Sequence, residues 1–174
     1  MSILKSVFCG TEGSYDVAGI QVNFTNKTNN IDVFGKRSWF GRRVESCLGN
    51  SAFRFLTFGY LHVFIHEMGH ALMAKLQNPH LHPKVNVYTK TCQGDTTYGR
   101  GNMFVTFAGP LAGTAFEIVK LVGAIALAIL LPSFIGLPLG LFIGTGASIW
   151  IFGELMYALS GQGDWSHLTM KGST

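Results

Sequence analysis

The sequence predicts an all-α membrane protein of about three transmembrane helices, with a small β-hairpin insertion and a polar N-terminal arm carrying β-forming pieces. Three observations lead there. Only 13% of the 174 residues are charged, about half the usual share, and beyond Arg100 the charges reduce to Glu117, Lys120, Glu154, Asp164 and Lys171. Two apolar runs, 103–131 and 139–159, each exceed the ~18 residues at which a membrane span becomes the preferred reading. A third, 53–76, continues without proline, and about 20 helical residues already rise ~30 Å, the thickness of a bilayer core.

Residues 1–50 form a polar, turn-rich arm to which no function is assigned, and 51–174 form the membrane-embedded core. Within the arm, the alternation in Ile20-Gln21-Val22-Asn23-Phe24 and in Ile31-Asp32-Val33-Phe34 predicts one or two small hairpins or a partly ordered segment. The apolar run at the N-terminus is too short for a secretory signal. Lys36-Arg37, Arg42-Arg43 and Arg54 precede the first apolar segment, which suits a membrane flank or equally a solvated loop. The net charge of +4 is modest and no basic stripe is interleaved with aromatics, so nucleic acid is not an expected partner. Cys9, Cys47 and Cys92 are widely spaced and contain no CxxC, which argues against a zinc ribbon or a disulfide framework.

The polar interval 77–102 separates the first two apolar segments. Its alternation, Lys84-Val85-Asn86-Val87-Tyr88 and onward to Tyr98, predicts a β-hairpin near 84–98 that turns at Gly94-Asp95. Glu117 and Lys120, three residues apart, are placed to pair on one helix face. Pro132 and Pro138 frame an expected turn, and Gly136, Gly140 and Gly144 make a ridge of small residues for close helix packing.

The chemistry lies in Phe64-Ile65-His66-Glu67-Met68-Gly69-His70-Ala71-Leu72-Met73. In this HExxH pattern the two histidines differ by four positions, so both imidazoles leave one helix face and can hold a single zinc ion. Glu67 stands next to His66 and can act as general base toward zinc-bound water. Ionisable groups inside a membrane segment face cavities or one another and mark function. His62 extends the same face, but a straight helix does not readily give three ligands to one ion over that length. It reads as an outer or packing residue.

A catalytic zinc needs a third protein ligand and an open position. If all three apolar segments cross the bilayer, the first and third run in the same direction. His66 and His70 lie near the end of the first, and Asp164, in Gly161-Gln162-Gly163-Asp164-Trp165, follows the end of the third. Asp164 therefore leads as third ligand. Glu154 is the second candidate, Glu117 is better read as the partner of Lys120, and Asp95, His80, His82 and His167 are weaker loop candidates.

An HEMGH helix, a β-like polar interval, Phe107-Ala108-Gly109-Pro110-Leu111-Ala112-Gly113 opening the next helix and a late glycine-flanked aspartate together resemble the site-2 protease family of intramembrane zinc metalloproteases. The resemblance spans about residues 55–168, and this chain would be a divergent, minimal core of that family. It implies that His66, His70 and Asp164 hold one zinc ion and that Glu67 activates water. The reaction would be hydrolysis of a peptide bond in or near a transmembrane segment of a membrane-protein substrate. It also implies that the strands of 84–98 receive the unwound substrate by strand addition. Gly163-Asp164-Trp165 stands where the family usually has Leu-Asp-Gly, and Gly113-Thr114 where it often has a substrate-orienting asparagine. The rival expectations are a non-proteolytic zinc-binding membrane protein and a soluble gluzincin-type protease using Glu117 or Glu154. A multi-pass position in a lipid bilayer is expected on the first two readings, and neither the substrate nor the oligomeric state is named by the sequence.

Overall fold

A computed structural model describes residues 2–27, 50, 54, 57–99, 102–160 and 164. The strand expected at Ile31–Phe34, the basic residues 36–43, Cys47 and His167 lie outside these residues. The chain opens with a short helix that the polar composition of the arm did not announce, α1 (Ile3–Cys9). Ser2 caps its start through the Leu4 amide at 3.2 Å, and Gly10, at φ 65°, closes it in the left-handed conformation that suits glycine.

Strands β1 (Gly13–Val17) and β2 (Ile20–Thr25) form the expected hairpin through the two-residue turn Ala18-Gly19. Both turn residues have positive φ, 55° and 73°, which matches the twist of the strands, and Asp16 Oδ1 accepts from the Gly19 amide at 2.9 Å. This hairpin is not a separate arm. β2 pairs in parallel with β3 (Lys84–Tyr88), which pairs antiparallel with β4 (Gln93–Thr97), giving one four-stranded sheet in the order β1-β2-β3-β4. The protein is therefore mostly helical with a small mixed sheet, where an all-α fold with an isolated hairpin was expected. The reason is the width of the apolar face. Ile20, Val22, Val85 and Val87 are all fully buried, and neither hairpin alone could cover a helix with two or three such side chains.

The opposite face carries a ladder of polar residues in register. Ser14 donates to Asn23 at 2.7 Å, Asn23 to Asn86 at 3.1 Å, and Asn86 to Asp95 at 3.0 Å. A one-residue slip would break all three bonds and turn the valines outward. Gly94 and Asp95 lie inside β4, so the predicted Gly-Asp turn is displaced: the chain reverses over Thr89–Cys92, with Cys92 at φ 52°. Burial pushes the Cys92 thiol up to about 12, against the opposing charge of Arg54. In the folded protein at pH 7.5 a maleimide is expected to modify the exposed Cys9 and spare the buried Cys92, with both labelled after denaturation. Peptide mapping reads each site, and labelling of native Cys92 at the rate of Cys9 would contradict its placement.

Helix α2 (Gly59–Gln77) begins later than the predicted 53–76 segment. A turn at Thr57-Phe58, with Phe58 at φ 54°, interrupts it. Gly59 follows because a Cβ there would meet Cys92 Sγ at 2.9 Å, so the hairpin turn packs directly on the helix start. Tyr60, Val63, Met68 and Ala71 join the sheet valines in the hydrophobic core. At the far end Lys75 Nζ donates to Ala18 O at 2.7 Å, tying the helix to the β1–β2 turn.

Helices α3 (Met103–Leu130) and α4 (Ser133–Ser160) form an antiparallel pair. Asn102 caps α3 through the Val105 amide at 3.1 Å. The expected turn from Pro132 to Pro138 shrinks to two residues, and Pro138 lies within α4. Pro132 O accepts the Ile135 and Gly136 amides at 2.9 and 2.8 Å, so the helix starts at once. Gly136 and Gly140 then hold this turn against α3: a Cβ at Gly140 would come within 2.6 Å of Ala124 O. Close packing of this kind lets a helix carry an internal proline.

Both helices are long and apolar enough to cross a membrane. Their most apolar windows are only 17% and 22% buried, unlike the core helices of a soluble protein. Leu111, Val119, Val122, Ile129, Phe134 and Leu141 are all more than half exposed, apolar surface that water does not favour.

Candidate metal centre

Helical periodicity sets His62, His66 and His70 along one face of α2. What lets α3 come close to that face is glycine. A Cβ on Gly69 would overlap the Ala108 carbonyl, and one on Gly109 would overlap the His70 ring. Gly69 of HEMGH and Gly109 of the Ala-Gly-Pro stretch are thus complementary, and the two motifs meet across one helix contact.

His70 Nδ1 bonds to the Val105 carbonyl at 2.7 Å. A carbonyl accepts only, so Nδ1 donates to it, and Nε2 is the nitrogen that remains to face Asp164 or a metal. His66 directs Nδ1 toward Glu154 Oε1 at 3.2 Å. The two Nε2 atoms converge on one oxygen, Asp164 Oδ2, at 2.9 Å from His66 and 3.2 Å from His70. Zinc bonds of about 2.1 Å at a tetrahedral angle separate ligand atoms by ~3.4 Å, so both nitrogen–oxygen separations lie close to the spacing of a zinc ligand set. Two imidazoles with a carboxylate are also a donor set that catalytic zinc uses. Burial disfavours ionisation of Asp164, yet hydrogen bonds with His66 and His70 outweigh it and hold the carboxyl well below its usual range.

Glu67 turns toward the sheet. Its Oε2 accepts from Thr96 Oγ1 at 2.6 Å, and the same hydroxyl approaches the Glu67 carbonyl at 3.0 Å. Gly94 makes room, because a Cβ there would overlap the Glu67 side chain. The carboxylate is therefore pinned by one oxygen beneath β4, with 8% of the residue exposed.

The structure thus brings together His66, His70 and Asp164, directs Glu67 to Thr96 of β4, and leaves other candidates elsewhere. Glu117 is fully buried in α3, where Oε1 lies 2.8 Å from His62 Nδ1 and Oε2 lies 2.7 Å from Lys120 Nζ. Asp95 belongs to the polar ladder, and His80 and His82 are exposed. Sequence reasoning missed three contacts. Trp150 stacks on His62 with ring centroids 4.1 Å apart, Tyr98 stacks on His70 at 6.3 Å, and Glu154 reaches the back of His66. The helical spacing Trp150–Glu154, one turn apart on α4, was the available signal for two of them. Comparison with protein-family models, with curated proteins and with solved structures finds no match to this chain.

Proposed function

We propose that this chain is an intramembrane zinc metalloendopeptidase that cuts a membrane-protein substrate in or near a transmembrane segment. The observation that carries the reading is the convergence of His66 Nε2, His70 Nε2 and Asp164 Oδ2 on one point of a helix that also bears Glu67. In this reading α3 and α4 cross the bilayer, α2 enters as the third apolar segment, and the outward apolar surfaces meet lipid. A zinc ion, when bound, supplies Lewis acidity that polarises the scissile carbonyl and lowers the pKa of water toward ~7.

The protein's own residues do the rest. His66 and His70 donate Nε2, and Asp164 completes the donor set with a carboxylate. Glu67 Oε1 takes the proton of the attacking water while Thr96 steadies Oε2, and the same carboxyl can return that proton to the departing amine. Among the described residues β4 is an edge of the sheet, with Gly94 and Thr96 against Glu67, so a substrate segment added to that edge would lie alongside the base. A soluble gluzincin using Glu117 fits poorly, since Glu117 is already engaged by His62 and Lys120 and the apolar helices face outward.

Purified in detergent from carbonate-washed membranes, the chain is expected to carry one zinc ion. In liposomes it should cleave a reporter transmembrane peptide, losing activity with 1,10-phenanthroline and regaining it with zinc. A chain that leaves the membrane pellet, or that binds no zinc in chelator competition, would defeat the reading.

A further inference from the structure

We propose that Glu154 is a positioning residue for His66, a carboxylate from α4 that fixes the imidazole through Nδ1 so that Nε2 meets the point shared with His70 and Asp164. The role presupposes the metal centre proposed above. A ligating imidazole holds its orientation by giving its other nitrogen to an acceptor. His70 has the Val105 carbonyl for this, at 2.7 Å. For His66 the group on that side is the Glu154 carboxylate, whose Oε1 lies 3.2 Å from Nδ1.

The geometry also separates this role from that of a ligand. The two nitrogens of one imidazole point to opposite sides of the ring, and a single ion cannot use both. Asp164 faces the Nε2 of His66 and of His70, whereas Glu154 faces only the Nδ1 side of His66. An ion held by both histidines lies on the side of the ring away from Glu154.

Glu154 also faces His62. Its Oε1 lies 3.7 Å from His62 Nε2, and His62 Nδ1 is 2.8 Å from Glu117 Oε1. Glu117 meets Lys120 Nζ at 2.7 Å, and that ammonium donates to Thr57 O at 2.8 Å. This buried line crosses from α3 through α2 to α4 and ends on a ligand. Gly113 makes the room: a Cβ there would sit 3.3 Å from both His62 Cε1 and His66 Nδ1. A longer side chain at 113 would press on the ring edge that Glu154 occupies. Glycine at this position and a glutamate at 154 are then two halves of one arrangement.

The test is metal affinity in the full chain in detergent, by chelator competition with zinc and by visible spectra with cobalt(II). Glu154→Ala is expected to weaken zinc binding about 10–100-fold, the range for loss of an outer partner. The four-coordinate cobalt bands should persist, because no ligand is lost. Glu154→Gln, which keeps an acceptor of the same shape and guards against a folding defect, should recover most of the affinity, and Gly113→Asn should weaken it as Glu154→Ala does. Wild-type affinity in Glu154→Ala overturns the proposal. So does loss as complete as in His66→Ala while Asp164→Ala binds normally, which would make Glu154 the ligand. If His66→Ala, His70→Ala and Asp164→Ala all bind zinc normally, the metal centre fails and the role falls with it, a result distinct from the other two.

Discussion

Glu67→Gln is expected to abolish peptide hydrolysis while leaving one zinc per chain. The two side chains have the same shape, so the position beneath β4 is kept, and the Thr96 hydroxyl that now donates to Oε2 at 2.6 Å can donate equally to an amide oxygen. Gly94 still leaves the space. What disappears is the ability to accept a proton at the second oxygen, and removal of a positioned general base typically lowers the rate by about 10²–10⁴-fold. Zinc content is expected to hold because the proposed donor atoms are His66 Nε2, His70 Nε2 and Asp164 Oδ2, none of which Glu67 contacts by a hydrogen bond. Two measurements on one preparation suffice: metal content by elemental analysis and single-turnover cleavage of the reporter peptide. A variant that keeps zinc and cuts within tenfold of wild type would remove Glu67 from the mechanism. Loss of zinc together with activity would instead recast Glu67 as a structural prop of the site.

The local parts of this site are legible in the sequence because helical periodicity is local. Four-residue spacing alone puts His66 and His70 on one face, and counting apolar segments brings Asp164 to the end at which that helix finishes. The contacts that span large sequence distances are a different matter. Nothing in Ile20-Gln21-Val22-Asn23-Phe24 announces that it will pair in parallel with residues 84–88, since the alternation fixes which face is apolar and not which neighbour completes it. The register comes from Asn23 and Asn86, polar residues that read as ordinary strand exterior until they meet. Gly113 likewise reads as a missing asparagine until its place beside His62 and His66 is seen. Only the tertiary contact turns that gap into the space that admits Glu154 behind His66. The break at Phe58 was illegible for another reason, because an apolar run carries no signal for a left-handed residue other than glycine.

Asp164→Ala should release the metal, and more completely than Glu154→Ala does. Asp164 Oδ2 lies 2.9 Å from one ligand nitrogen and 3.2 Å from the other, whereas Glu154 is on the far side of a single ring. Removing the aspartate takes away a charged donor from a site whose other two protein donors are neutral, so zinc would be left with two nitrogens and solvent. That loss should exceed the ~10–100-fold typical of an outer partner. The helices that carry the site have little reason to rearrange in response. Gly69 and Gly109 lock α2 to α3, and Gly136 and Gly140 lock α3 to α4, all without Asp164. The folded chain should therefore elute from size exclusion as the wild type does, with its metal gone, which separates loss of a ligand from loss of the fold. Asp164→His, which offers a neutral nitrogen in place of an oxygen, should regain part of the zinc but not the geometry on which cleavage depends. If Asp164→Ala keeps full zinc while Glu154→Ala loses it, the carboxylate assignments exchange: Glu154 binds the metal together with His66 Nδ1 and His62, and His70 drops out of the centre. The same four variants, Asp164→Ala, Glu154→Ala, His62→Ala and His70→Ala, decide between the two arrangements. The His66–His70–Asp164 centre requires His70→Ala to lose zinc with Asp164→Ala, and the alternative requires His62→Ala to lose it with Glu154→Ala.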